Sequence, residues 1–156
     1  MYILGIDPAI NNTGWCILKR TNHEVLFIDC GTIKTNAKQA MPERLKIITS
    51  EISWIINKYK PSIASIEEIF INSNMRSSIK LAQARGAIIA SCAIQNIKIY
   101  EVSANTTKKI ITNSGHADKL QVQKMLNLFI KNIPKTNTFD ESDAIAIAYS
   151  SLYSTH

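Results

Sequence analysis

Cysteine is scarce in this sequence. Cys16, Cys30 and Cys92 make an odd count, sit in apolar stretches and have no C-x-x-C spacing. That pattern suggests neither a disulfide framework nor a zinc site, and each thiol is expected to be a small buried hydrophobe. Glycine and proline are also sparse, at 5 and 4 residues, and they form neither a linker nor a Walker-type phosphate loop. Long apolar runs are missing too. Stretches such as "GAIIASCAI" are too short and too interrupted to span a bilayer, and no basic segment followed by an apolar stretch and a cleavage site opens the chain, so a cytoplasmic protein without membrane contact is expected.

Acidic residues are the other shortage. Residues 76–135 carry ten Lys or Arg against Glu101 and Asp118 alone, whereas residues 136–156 carry three acids and no Lys or Arg. A net charge of +6 distributed in this way suits a surface that binds polyanions and holds local acidic spots for metal ions. A merely soluble basic surface is the plainer alternative. At 156 residues, 46% of them apolar and 19% charged, the chain is expected to form one domain over 1–156 with a core of its own.

"YILGID", "GWCILKR" and "EVLFIDCGTIKT" are apolar runs separated by turn residues, which predicts an antiparallel meander. "PERLKIITSEISWIINKYK" repeats Leu45, Ile48, Ile52 and Ile55 at helical spacing, with Pro42 suited to the first turn. "PSIASIEEIF" predicts a fourth strand, "NMRSSIKLAQARGAIIASCAIQN" a long helix, "IKIYEVS" a fifth strand and "HADKLQVQKMLNLFIK" a further helix. "TFDESDAIAIAYSSLY" predicts a closing helix opened by Thr138 or Asp140. The expected fold is therefore α/β: a five-stranded mixed sheet, three antiparallel strands followed by parallel ones, flanked by helices.

The first strand ends on Asp7 and the fourth on Glu67. Strand ends of open α/β sheets are where ligands bind. Asp140 and Asp143, three apart, share one helix face. Four carboxylates from three segments can thus converge, and such a hard oxygen set suits Mg²⁺ or Mn²⁺. Two ions about 4 Å apart activate water on one side of a phosphodiester and stabilise the leaving oxygen on the other. Without cations the cluster repels itself, so at least one carboxylate is expected to have a raised pKa. Plainer roles exist for each: Asp7 before Pro8 as a turn former, Glu67 and Glu68 as a solvated strand end, Asp140 as a helix cap with Asp143 completing a weak capping box.

With these residues in view, the chain resembles the RuvC family of Holliday-junction resolvases within the RNase H-like superfamily. The segments that carry the likeness are "LGIDPAINNTGW", "IEEIF", "LAQARGAIIA", "GHADKLQVQKML" and "DESDAIAIA", in the family's order across essentially the whole chain. The resemblance implies a homodimer that binds a four-way DNA junction and nicks two opposite strands symmetrically, with two Mg²⁺ per active site, for which Mn²⁺ can substitute. It assigns the catalytic, metal-binding acids to Asp7, Glu67, Asp140 and Asp143. It also implies phosphate-binding catalytic lysines at Lys108 and Lys119 and a DNA-contacting aromatic at Phe70. Arg76, Lys80, Lys109 and Lys124 are expected on the DNA backbone, while Arg85 fits either such a contact or an internal ion pair. Glu68 is expected to point away from the site. RuvA and RuvB are the branch-migration partners implied, and the long helix after Gly86 is expected to contribute to the dimer interface. Ala9 and Cys16 depart from glycines common in the family, and His23 and His116 have no ligand-spaced partners.

Two rivals share some of these signals. An RNase H-like nuclease acting on RNA or RNA–DNA hybrid would use the same fold and metals. A sugar-kinase-like phosphotransferase would use "GIDPAINNTG" as a phosphate hairpin, but needs two such domains. A junction-binding protein without chemistry has no reason to keep four acids.

Overall fold

In the computed structural model the described residues are 1–69, 75–134 and 138–153. The elements run β1 (Tyr2–Asp7), β2 (Asn12–Arg20), β3 (Val25–Lys34), α1 (Met41–Tyr59), β4 (Ile63–Glu67), α2 (Met75–Ile94), β5 (Lys98–Val102), α3 (Ala104–Thr112), α4 (Lys119–Phe129), β6 (Ile130–Lys131) and α5 (Phe139–Ser150). They form a six-stranded sheet in the order β5-β4-β1-β2-β3-β6. The meander is antiparallel as expected, while β1/β4, β4/β5 and β3/β6 are parallel.

Two elements differ from expectation. The sheet has six strands and not five, because the segment expected to be helical through Lys131 leaves the helix at Phe129. Ile130 then pairs beside Val25 and buries its side chain in the same cluster. The second difference is α3, whose nine residues bury only Thr107 and Ile111. One i, i+4 pair is too little periodicity to announce a helix, although Ser103 caps it by accepting from the Thr106 N–H.

Strand alternation divides the core in two. Leu4 and Ile6 of β1, with Ala64 and Ile66 of β4, pack against α1 and α2. Ile3, Cys16 and Leu18 face the opposite layer of α3, α4 and α5. Gly5, Asp7, Ser65 and Glu67 alternate with the first set, so both strand-end carboxylates lie on the α5 side. Cys16 and Cys92 are buried and Cys30 is partly so. Among the described residues no helix is long and apolar enough to cross a membrane.

Helix α5 is buried almost all round from Ala144 to Ser150. Its close seat on the sheet depends on two glycines. A Cβ on Gly5 would lie 2.6 Å from both Ala148 Cβ and Ala148 N, and one on Gly14 would lie 2.5 Å from the Asp140 carbonyl carbon. Real side chains do not fit there, so β1 and β2 meet the helix backbone to backbone.

Candidate active site

Register explains how the acids come to one end of the sheet. Asp7 pairs with Gly14 across the β1–β2 hairpin, and Gly14 lies directly beneath Asp140. Glu67 ends β4, the parallel neighbour of β1. The N-cap of α5 is Thr138, whose hydroxyl accepts from the Glu141 N–H at 3.2 Å and shares a 3.2 Å hydrogen bond with Thr32 of β3. With the cap supplied by Thr138, Asp140 sits inside the first turn. Glu141, between the two aspartates, is buried near Cys30, whose thiol is pushed up to about 11 by burial and then by Glu141.

Electrostatics tie the four acids together. Asp7 is pushed up to about 8, first by burial and then by the charges of Glu67, Asp143 and Asp140, against a lowering by Lys119. Glu67 is raised by burial and by Asp143, an effect countered by a hydrogen bond with Asp7 and by Lys119 and Lys108. At neutral pH Asp7 therefore keeps its proton and can donate it to Glu67, which relieves the repulsion expected of such a cluster. Lys119 Nζ meets Asp143 Oδ2 at 2.8 Å. Among the described residues no three His, Cys, Asp or Glu side chains already stand in a metal-ligating group. The donor set nevertheless fits a hard divalent cation: all oxygen, excess negative charge, one proton to displace and one lysine to release.

Glu67, Lys108, Lys119 and Asp143 line one cavity together with Thr107, and Val122, Ala146 and Ile147 form its apolar wall. Lys108 comes from α3 and Lys119 from the start of α4, whose capping box with Asp118 and Gln121 fixes that entry. Glu68 is exposed, as expected. Phe70 lies outside the described residues.

Arg76, Lys80, Lys109 and Lys124 are all exposed, and none of them lines this cavity. Lys124 borders a separate groove with Thr112, His116 and Met125. Arg76 and Lys80 stand near the start of α2. Arg85, nine residues after Arg76, donates to the Glu67 carbonyl at 2.9 Å, so the first part of α2 extends roughly 14 Å beyond that anchor at the usual helical rise. Arg85 also pairs with Glu101, one of its two expected roles.

Arg44 is a residue that periodicity passed over. It is only 4% exposed and reaches from α1 into the loop after Asp7. Its Nη2 donates to the Ile10 carbonyl at 3.0 Å and to Asn11 Oδ1 at 2.5 Å, and its Nε to Thr35 Oγ1 at 2.9 Å. Thr13 closes the same loop by donating to the Ala9 carbonyl at 2.5 Å. Ala9 is not among the residues with positive φ, so this turn has no need of glycine there. Arg44→Met is expected to lower unfolding free energy by about 2–3 kcal/mol, through the lost charged hydrogen bonds and the carbonyl left behind. Denaturant melts measure it, and a loss under about 0.5 kcal/mol, the ordinary surface value, would contradict the role.

The family model for crossover junction endodeoxyribonuclease RuvC matches residues 3–151. The chain is 42% identical over 149 residues to the crossover junction endodeoxyribonuclease RuvC of Rickettsia akari, covering 96% of this chain and 95% of that one. Against the protein of the same name from Ehrlichia ruminantium, identity is 45% over 157 residues, covering 99% and 98%. Among solved structures, T. thermophilus RuvC in complex with Holliday junction substrate superposes with a TM-score of 0.92 at 21% identity, covering 98% of this chain and 93% of that one. The yeast mitochondrial Holliday junction resolvase Ydc2 gives 0.68 at 13% identity, covering 95% and 77%. At those identities the solved structures establish the fold, and the sequence matches establish the rest: the chain belongs to the crossover junction endodeoxyribonuclease RuvC family.

Proposed function

We propose that this RuvC-family endodeoxyribonuclease resolves Holliday junctions by nicking two opposite strands symmetrically, with Asp7, Glu67, Asp140 and Asp143 holding two Mg²⁺ ions at each active site. The observation that carries the reading is the cavity shared by Glu67, Asp143, Lys108 and Lys119, beside the strand end at Asp7 and the helix turn at Asp140. Family membership implies dependence on a divalent metal. When bound, the ions supply an activated water and charge stabilisation at the leaving oxygen. The chain's own part is to hold four carboxylates on rigid elements, release the Asp7 proton and present two cations. Lys108 and Lys119 bind the scissile phosphate and offset its developing charge. Phe70 stacks on a base at the junction centre, and Arg76, Lys80, Lys109 and Lys124 contact phosphates. The nuclease unit is one domain over 1–156, and the junction reaches it from RuvA and RuvB in the cytoplasm.

Two matched cuts call for two copies of the site. Met75, Ile79, Ala82, Gly86, Ala90 and Ile94 recur at spacings of three and four along α2, and all are exposed. The opposite side of the same helix buries Ala84, Ile88, Ser91 and Cys92. A Cβ on Gly86 would meet nothing within 4 Å, so the glycine leaves room for a second chain and is not needed within its own. A two-fold dimer through this stripe supplies two identical sites. Gly86→Arg is expected to improve helix propensity yet give a monomer by sedimentation, with paired nicking lost. A dimer that persists and cuts in pairs would place the interface elsewhere.

The function is tested by presenting a mobile four-way junction, a linear duplex and an RNA–DNA hybrid in Mg²⁺. Nicking of the junction alone is expected; preferential cleavage of the hybrid would favour the alternative RNase H-like activity.

A further inference from the structure

Phe139, the first residue of α5 and the neighbour of Asp140, is 74% exposed. It belongs to neither hydrophobic cluster, so the core does not explain a phenylalanine there. Its ring instead faces Lys119, whose Nζ lies 5.0 Å from the ring centroid, within the range at which a π-face attracts an ammonium group. The same ammonium group makes the 2.8 Å contact with Asp143. Lys119 is the first residue of α4, where the helix dipole disfavours a cation, and its side chain is 63% exposed. A flexible, solvated lysine at a helix N-terminus needs something to hold it over the acids.

We propose that Phe139 is a positioning residue that keeps the Lys119 ammonium at the mouth of the acidic cluster. The inference rests on the proposed role of these acids as metal ligands. Once divalent ions engage Asp143, the surface ion pair that anchors Lys119 in the metal-free protein is given up. The ring contact remains, because an aromatic face neither neutralises the lysine nor competes for a metal. Lys119 then turns toward the scissile phosphate and does not swing into solvent. A carboxylate at position 139 would attract the lysine as well, but it would also ligate the metal and repel DNA.

Three variants and two readouts test this. Phe139→Leu keeps apolar bulk without the π-face, Phe139→Tyr keeps the face, and Lys119→Met removes the cation. In the metal-free protein, NMR of the Lys119 ε-methylene is expected to show a ring-current shift that Leu abolishes and Tyr retains. In single-turnover cleavage at saturating junction and Mg²⁺, Leu is expected to slow the rate about 2- to 5-fold, the range of an exposed cation–π contact. Junction affinity should not change, Tyr should restore the rate, and Leu should have no further effect in a Lys119→Met background. An unchanged rate in Phe139→Leu, or an equal loss with and without Lys119, would overturn the proposal while leaving the metal site standing. A wild-type protein that nicks no junction would overturn both.

Discussion

Gly14→Ala is expected to reduce junction nicking by about 100-fold or more, the scale on which an ångström of misplacement acts in an active site. An added methyl would stand 2.5 Å from the Asp140 carbonyl carbon and 3.1 Å from Asp140 Cβ. Two of the atoms it meets are backbone, so no rotamer change relieves the clash; the N-terminal turn of α5 must lift. That turn carries Asp140 and Asp143, while Asp7 stays paired opposite residue 14. The lift would separate one pair of acids from the other. Overpacking of this kind also costs about 1–3 kcal/mol of stability, read by denaturant unfolding. Gly5→Ala makes a control, since it strikes the middle of α5 at Ala144 and Ala148 and should damage stability at least as much. Full nicking by Gly14→Ala would show that the seat of α5 does not set the site.

Asp7→Asn is expected to cut nicking by at least about 100-fold, the upper range for losing even an outer partner of a metal ligand, while junction binding is kept or tightened. Asparagine preserves shape and removes the negative charge that Asp7 would carry once a divalent ion displaces its proton. The same substitution has a pH signature. The Asp7 carboxyl, ordinarily at 3.8, is pushed up to about 8 in the fold. Between those values the folded, metal-free protein holds a proton that the unfolded chain has released, so stability falls as pH rises through the window. Thermal melts in EDTA should show this decline from about pH 4 to about pH 8 in the wild type and a flatter profile in Asp7→Asn. Mg²⁺ should raise the melting temperature more at pH 8 than at pH 6, because at the lower pH it must first displace the proton. A melting temperature insensitive to pH and Mg²⁺ would separate Asp7 from the metal, and equal loss of binding and nicking would point to a folding role.

Much of this arrangement is legible in the linear order. Asp7 and Glu67 close hydrophobic strands, and the i, i+3 spacing of Asp140 and Asp143 gives them one helix face, so convergence at a sheet end follows from topology. The seat of α5 is not legible, because Gly5 and Gly14 acquire meaning only when a helix more than a hundred residues away lies on them. Arg44 is illegible for a similar reason: it sits at a helical position, but its partners are Ile10, Asn11 and Thr35. The contacts of Arg85 are not legible either, since the Glu67 carbonyl and Glu101 lie 18 and 16 residues away in sequence. Strand β6 escaped because two residues carry no alternation, and its burial against Val25 is purely tertiary. Phe139 is not legible in sequence, since a lone aromatic beside an acid becomes informative only with Lys119 over its ring.

On the proposed function, the acids at one end of the sheet make a metal-dependent, junction-resolving site. The most direct measurement is to label each strand of a mobile four-way junction in turn and map the nicks made in Mg²⁺, in EDTA and by Asp7→Asn. Paired nicks at matching positions on two opposite strands, absent with EDTA and with Asp7→Asn, are the predicted result. Nicking that survives EDTA or the substitution, or that falls on single strands without a matched partner, would contradict it.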